Sequence, residues 1–106
     1  MASFADNLKT LPSIENLASI SLRGPDGVEV ARIENRAGSQ GSLAVYAHLL
    51  AEFGVIDSQA AQAGLSLYAE HTPDARQNPG KHPNIDRLLA IEAGGCALSG
   101  VVTPKG

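Results

Sequence analysis

The spacing of hydrophobic residues along the chain changes period several times, and each change marks an element. Residues 28 to 54 run VEVARIE, NRAGSQG and SLAVYAHLLAEFG, which reads as a strand, a glycine-rich turn and the main amphipathic helix. Leu43, Tyr46, Leu49, Leu50 and Phe53 share one helical face, with Ala47 at its edge, while His48 and Glu52 fall opposite. A helix lying on a core divides its residues in this way. Ser42 is the expected N-cap and Gly54 the expected stop.

Upstream, Phe4, Leu8 and Leu11 recur at helical spacing behind Ser3, a possible cap, and Pro12 ends the segment. Ser13 followed by IENLA suggests another helical turn. Ala18, Ile20 and Leu22 then alternate with Ser19, Ser21 and Arg23, the period of a half-buried strand. Gly24-Pro25-Asp26-Gly27 supplies hairpin-closing turn chemistry. In the returning strand Val28 and Val30 share one face, Ile33 falls on the other, and Arg32 stands where an apolar residue is due. Either a bulge lies near Ala31, or both faces of this strand are partly covered.

Downstream, Asp57 is placed to cap a helix from Ser58 to about His71, with Ala61, Leu65, Tyr68 and Ala69 inward and Leu67 and Ala60 beside them. Gly64 sits on that inward side at a cost of about 1 kcal/mol in helix propensity, which predicts close approach to a neighbour or a broken helix. Residues 72 to 83 form a polar connection with three prolines. In it, Thr72-Pro73-Asp74 resembles a helix start and Asn78-Pro79-Gly80-Lys81 a type II turn. Asn84 is the expected cap of a helix over IDRLLAIEA, Gly94-Gly95 its stop, and residues 98 to 103 a last strand pairing with the hairpin. The pattern predicts one α+β domain over residues 1–106: a small, mostly antiparallel sheet of hairpin plus C-terminal strand, with about three main helices.

Composition narrows the function classes. With Phe4, Phe53, Tyr46 and Tyr68 as the only aromatics, the core rests on aliphatic and alanine side chains that bury little area each. A thin core of this kind favours a homodimer. Eight basic against eleven acidic residues give a formal charge of −3 with no basic run, so nucleic acid is an unsuitable partner. A single cysteine, no signal-peptide pattern and no apolar run near the roughly 20 residues of a bilayer span point to a cytoplasmic protein without a membrane partner.

Candidate chemistry gathers in EHTPDARQNPGKHPNIDR, residues 70 to 87. Two of the three histidines, His71 and His82, stand there with Asp74, Asp86, Arg76 and Lys81, on a proline-stiffened loop of the kind that carries sites. If the loop folds back, His71, His82 and either aspartate suit acid–base chemistry at neutral pH. With Asp74, the two imidazoles would make a two-histidine, one-carboxylate metal set. The spacing matches no strong metal signature, and three cations nearby oppose a bare divalent site. The competing structural reading sets His71 at the C-terminus of its helix and pairs the charges in water. The discriminating geometry is whether the two imidazoles meet within about one water-bridged hydrogen bond inside a pocket.

The turn NRAGSQGS precedes a helix start, where Arg36, Ser39 and free amides favour a small anion. Its glycines match neither phosphate-loop pattern and are also explained by a tight turn. Cys96 is expected to be buried and inert, and His48 with Glu52 a solvated pair. No cofactor is implied. The segments IENRAGSQGSLAVY and GKHPNIDRLL resemble a family of small uncharacterised bacterial proteins, a domain of unknown function of about this length. The resemblance extends over nearly the whole chain. It implies a stand-alone bacterial cytosolic protein and carries no activity, cofactor or partner. Two readings follow: a non-catalytic module binding an anionic metabolite or a protein, or a small enzyme built on the 70–87 cluster.

Overall fold

A computed structural model describes residues 2–105. In chain order it contains α1 (Phe4–Lys9), β1 (Leu17–Arg23), β2 (Glu29–Glu34), α2 (Gln40–Phe53), α3 (Ser58–Tyr68), α4 (His71–Gln77), α5 (Pro83–Glu92) and β3 (Ser99–Pro104). The strands form one antiparallel sheet in the order β2-β1-β3. The architecture is α+β, and the last strand pairs with the first strand of the hairpin.

Hairpin register explains the break in apolar alternation between Val30 and Ile33. Leu22 pairs with Ala31 and Arg23 with Glu29, so Val30 is the extra residue of a bulge and stands 59% exposed. Of the two alternatives for β2, the bulge near Ala31 is the one present. Gly27, at φ 82°, closes the hairpin as its turn chemistry requires. β1 differs from expectation: Ser19 and Ser21 are buried, along with Ile20 and Leu22. As the central strand, β1 has Glu34, Arg32, Thr103 and Val101 directly beside those serines. The longer neighbours close over two small side chains.

α2 lies between the sheet and α3, and α3 is the helix against which the other four pack. Leu43, Tyr46 and Leu49 are fully buried as the helical period requires, while Leu50 and Phe53 are half-buried. Val45 is buried as well because its side is covered by α3. At Gly64 a Cβ would lie 2.7 Å from Leu88 Cδ1 and 2.9 Å from Leu49 Cδ1. The absence of a side chain there lets α3 approach α5 and α2 within one unbroken helix.

Helix ends depart from the pattern in four places. α2 begins at Gln40, with Ser39, three residues before Ser42, at its N-cap. Gly54, at φ 80°, stops it as expected. α3 ends at Tyr68 because Ala69 turns to φ 51° and Thr72 Oγ donates to the Leu65 carbonyl at 2.6 Å. That buried hydroxyl replaces the amide that would have continued the helix. His71 therefore opens α4 instead of closing α3. Asn84 is inside α5, whose N-cap is His82 and whose first residue is Pro83; proline at that position needs no hydrogen-bond partner. Residues 14 to 17 make a single turn, Leu17 N–H donating to Ile14 O at 3.0 Å.

Cys96 is exposed, against the expectation of a buried thiol. Gly94 at φ 112° reverses the chain after α5, and Gly95 packs on the Ala90 carbonyl. The reversal carries residue 96 onto the surface. His48 Nε2 and Glu52 Oε2 form a 2.9 Å pair on the outer side of α2. Among the described residues no helix is long and apolar enough to cross a membrane.

Candidate functional site

The bend after α4 is built by one carboxylate. Asp74 Oδ1 accepts from the Asn78 side-chain amide at 3.1 Å, and Oδ2 lies 2.6 Å from His82 Nε2 and 3.0 Å from Lys81 Nζ. Asp86 Oδ2 accepts from the Gly80 N–H at 2.8 Å. Gly80 at φ 92° and a Lys81 N–H to Asn78 O bond of 3.1 Å complete the tight turn expected over residues 78 to 81. The proline-rich segment thus folds back along α4.

That fold-back brings the two histidines together. The ring centroids of His71 and His82 are 5.6 Å apart, and both rings line a cavity of about 460 Å³. Phe4 and Leu8 of α1 and Tyr68 at the end of α3 form one wall. Gly38, Gln40, Gly41 and Ser42, at the start of α2, form a second. Lys81, His82 and the first turn of α5, Pro83 to Ile85, form a third. Among the described residues no carboxylate lines the cavity, so its charged groups are Lys81 and, when protonated, the two imidazoles.

Long-range hydrogen bonds position the walls. Tyr68 Oη donates to Ser42 Oγ at 2.7 Å, tying α3 to the first turn of α2. Tyr46 Oη donates to the Asn84 carbonyl at 2.5 Å, and Arg87 Nη1 donates to Asn84 Oδ1 at 2.8 Å, together fixing the start of α5. Burial pushes the Tyr46 hydroxyl up to about 12, with Arg87 opposing the shift. Burial pushes the Tyr68 hydroxyl higher still. Both therefore stay protonated donors at neutral pH. α1 is held by a capping box at Ser3, by Phe4 N–H donating to Glu70 Oε1 at 2.8 Å, and by Asn7 Nδ2 donating to Leu67 O. The Phe4 amide holds the Glu70 carboxyl below the usual carboxylate range.

Electrostatics inside the bend centre on Asp74. The hydrogen bond from His82, followed by that from Lys81, holds its carboxyl below the ordinary range. An ionised carboxylate only accepts, so the shared proton resides on His82 Nε2, which leaves Nδ1 outside that contact. Among the described residues no protein group bonds that Nδ1. His71 stands beside Phe4 in an edge-on contact, ring centroids 5.2 Å apart.

The residues singled out from the sequence divide into those at the cavity and those outside its lining. His71, His82 and Lys81 line it, and Asp74 holds two of them from behind. Asp86 is occupied by the Gly80 amide, and Arg76 pairs with Glu92 at 3.3 Å. Arg36 pairs with Glu34, and Ser39 Oγ donates to the Glu34 carbonyl at 2.6 Å. None of these four is part of the lining. Among the described residues no group of three histidine, cysteine, aspartate or glutamate side chains is arranged to hold a metal. Asp74 Oδ2 is already held by both His82 Nε2 and Lys81 Nζ. Phe4, Leu8, Ser42, Tyr68 and Asn84 line the cavity without having been singled out. Phe4, Leu8 and Tyr68 read as ordinary core and Ser42 and Asn84 as helix caps, and only the three-dimensional gap between α1 and the α5 start distinguishes them.

The sequence model of a family described as an uncharacterized protein conserved in bacteria (DUF2322) matches residues 4–101. No curated protein and no solved structure matches the chain.

Proposed function

The chain belongs to this family of uncharacterized bacterial proteins, and from the geometry of its cavity we propose that it is a binding module for a small anionic metabolite. One observation carries the reading. A cavity of about 460 Å³ has Lys81, His71 and His82 in its wall and, among the described residues, no carboxylate. Its size falls in the range of about 300–1,000 Å³ that small-molecule sites occupy. The first turn of α2 also begins at its wall, where the Gly41 and Ser42 amides have no intrahelical acceptor; at the start of α5, Pro83 has no N–H and the Ile85 N–H is taken by the His82 carbonyl. The cationic side chains and the α2 amides both favour negative charge. The setting proposed with this reading is the cytoplasm, supported by the single cysteine.

Ligand that binds only the folded chain raises its stability by mass action, about 2.7 kcal/mol at a hundred times Kd. The test is a thermal-shift screen of phosphates and carboxylates against chloride at equal ionic strength, repeated on Lys81→Ala. Stabilisation by some anion that weakens in Lys81→Ala is expected. Absence of any anion-specific stabilisation would refute the reading.

A second reading, a small acid–base enzyme, is favoured by one contact. Asp74 fixes the His82 ring through a 2.6 Å bond to Nε2, the relation of an orienting carboxylate to a general base. For both readings His71→Ala and His82→Ala fold normally. Only the enzyme reading requires that a bound anion be chemically altered, so recovery of every stabilising ligand unchanged after incubation would remove it.

A further inference from the structure

We propose that the anion taken by this cavity is amphiphilic: a carboxylate or phosphate monoester head carried on an aryl or alkyl body. This deepens the anion-binding reading above and rests on it. Volume is the first argument. Water occupies about 30 Å³ in the liquid, so a space of about 460 Å³ is many times larger than an inorganic anion with its direct ligands.

The wall is the second argument. α1 has no buried residue, although Phe4 and Leu8 face inward against α2: a Cβ on Gly41 would meet Phe4 Cζ at 3.0 Å and Leu8 Cδ1 at 3.4 Å. Both side chains remain only half-buried, because part of their surface faces the cavity and not the core. Uncovered apolar surface of this kind gains by burial against an apolar ligand, about 25 cal/mol for each Å² removed from water.

Third, the apolar and cationic ends are joined by a series of rings. Tyr68 and Phe4 stack with centroids 5.1 Å apart, Phe4 meets His71 at 5.2 Å, and His71 meets His82 at 5.6 Å. A head group beside His82 and Lys81 therefore has its body one imidazole away from Phe4. Lys81 Nζ is also 3.0 Å from Asp74 Oδ2, so part of its charge is answered within the protein. Covered area then adds to the affinity of the charged end, and the head group sets orientation.

The experiment is isothermal titration of the intact protein with the straight-chain carboxylates from acetate to octanoate, the matching alcohols, inorganic phosphate and phenyl phosphate. Affinity should rise about fourfold for each methylene until the cavity is filled. Phenyl phosphate should bind at least tenfold more tightly than inorganic phosphate. Leu8→Ser, on a surface helix, should flatten the chain-length series. Phe4→Ala is the second variant should Leu8→Ser melt early. Equal affinity across the carboxylates, or for the two phosphates, would overturn the amphiphile while leaving an anion site. Alcohols binding as tightly as the carboxylates would overturn the anion site as well.

Discussion

Tyr46→Phe isolates one oxygen that joins the core to the candidate site. The ring keeps its volume and its buried position at 0% exposure. The substitution removes only the hydroxyl that donates to the Asn84 carbonyl at 2.5 Å and accepts from Arg87 Nη1 at 3.2 Å. Arg87 retains its 2.8 Å bond to Asn84 Oδ1. The half-buried Asn84 carbonyl, inside α5, loses its side-chain partner but keeps its helical one, which costs about 0.5–1.5 kcal/mol. For a domain near this size each kcal/mol lowers Tm by roughly 4–8 °C.

A pH series supplies an independent readout of the same oxygen. Burial raises the Tyr46 hydroxyl from an ordinary value near 10 to about 12. Between those values the unfolded chain has lost this proton and the folded chain has kept it. The unfolded state binds fewer protons there, so stability falls as pH rises. The contribution is complete below pH 10 and lost as pH climbs through about 12. At about 1.36 kcal/mol per pKa unit this amounts to roughly 2–3 kcal/mol. Tyr46→Phe removes it, leaving the component from Tyr68. Urea denaturation at pH 7 and at steps from 9 to 12 measures both effects. A variant within about 0.5 kcal/mol of the parent at pH 7, with the same alkaline slope, would refute the assignment of Tyr46 as the anchor of α5.

Four further outcomes are expected. Gly64→Leu should destabilise by about 2 kcal/mol or more, since even a Cβ there meets Leu88 and Leu49 below 3 Å; a neutral urea midpoint would mean that α3 and α5 do not meet at this residue. Asp74 should titrate by carbon-detected NMR below the usual value of about 3.9, so its bonds to His82 and Lys81 stabilise the bend above that pH and are lost as pH falls through the depressed value. An ordinary midpoint would remove the carboxylate as organiser of the bend. Cys96 should react with a thiol reagent in the native protein about as fast as in the denatured one; protection by folding would contradict its exposure. The homodimer expected from the thin core, which Val30 and Val101 exposed on the sheet would suit, should appear as twice the chain mass by light scattering, and a clean monomer at micromolar concentration would count against it.

Local chemistry made most of the fold legible. Strand alternation located β1, the Gly24–Gly27 turn closed the hairpin, Asp57 capped α3 through Ala60 N–H, and Gly54 and Gly94 ended their helices at positive φ. Each of these signals acts within four residues or so of its effect. The boundary errors came from contacts that period does not encode. α3 stops where the Thr72 hydroxyl takes the Leu65 carbonyl, seven residues away in the chain, and that bond separates His71 from the helix it seemed to close. The buried serines of β1 required knowledge of which strands flank it. The candidate site was half legible: the 70–87 cluster supplied His71, His82 and Lys81, whereas the opposing walls come from α1 and the start of α2. Nothing near Phe4 or Ser42 in the chain announces residues far along it as neighbours.

The placement of the tyrosines links that missing half to the core. A buried hydroxyl without a partner costs free energy, so a core seeking stability alone would choose phenylalanine. Tyr46 and Tyr68 both lie in the core at 0% and 3% exposure. One hydroxyl bonds the start of α5 and the other the start of α2. Those are two of the three walls of the cavity. Tyr68 and Phe4 also stack along the third. Three of the four aromatic side chains in the chain are thus committed to shaping a single concavity, and both buried hydroxyls hold backbone or side-chain positions at its rim. A fold that needed only to bury area would gain nothing from either bond beyond satisfying the oxygen itself. Fixing two helix starts relative to each other is what the pair adds, and a preorganised rim lowers the ordering cost of whatever binds there.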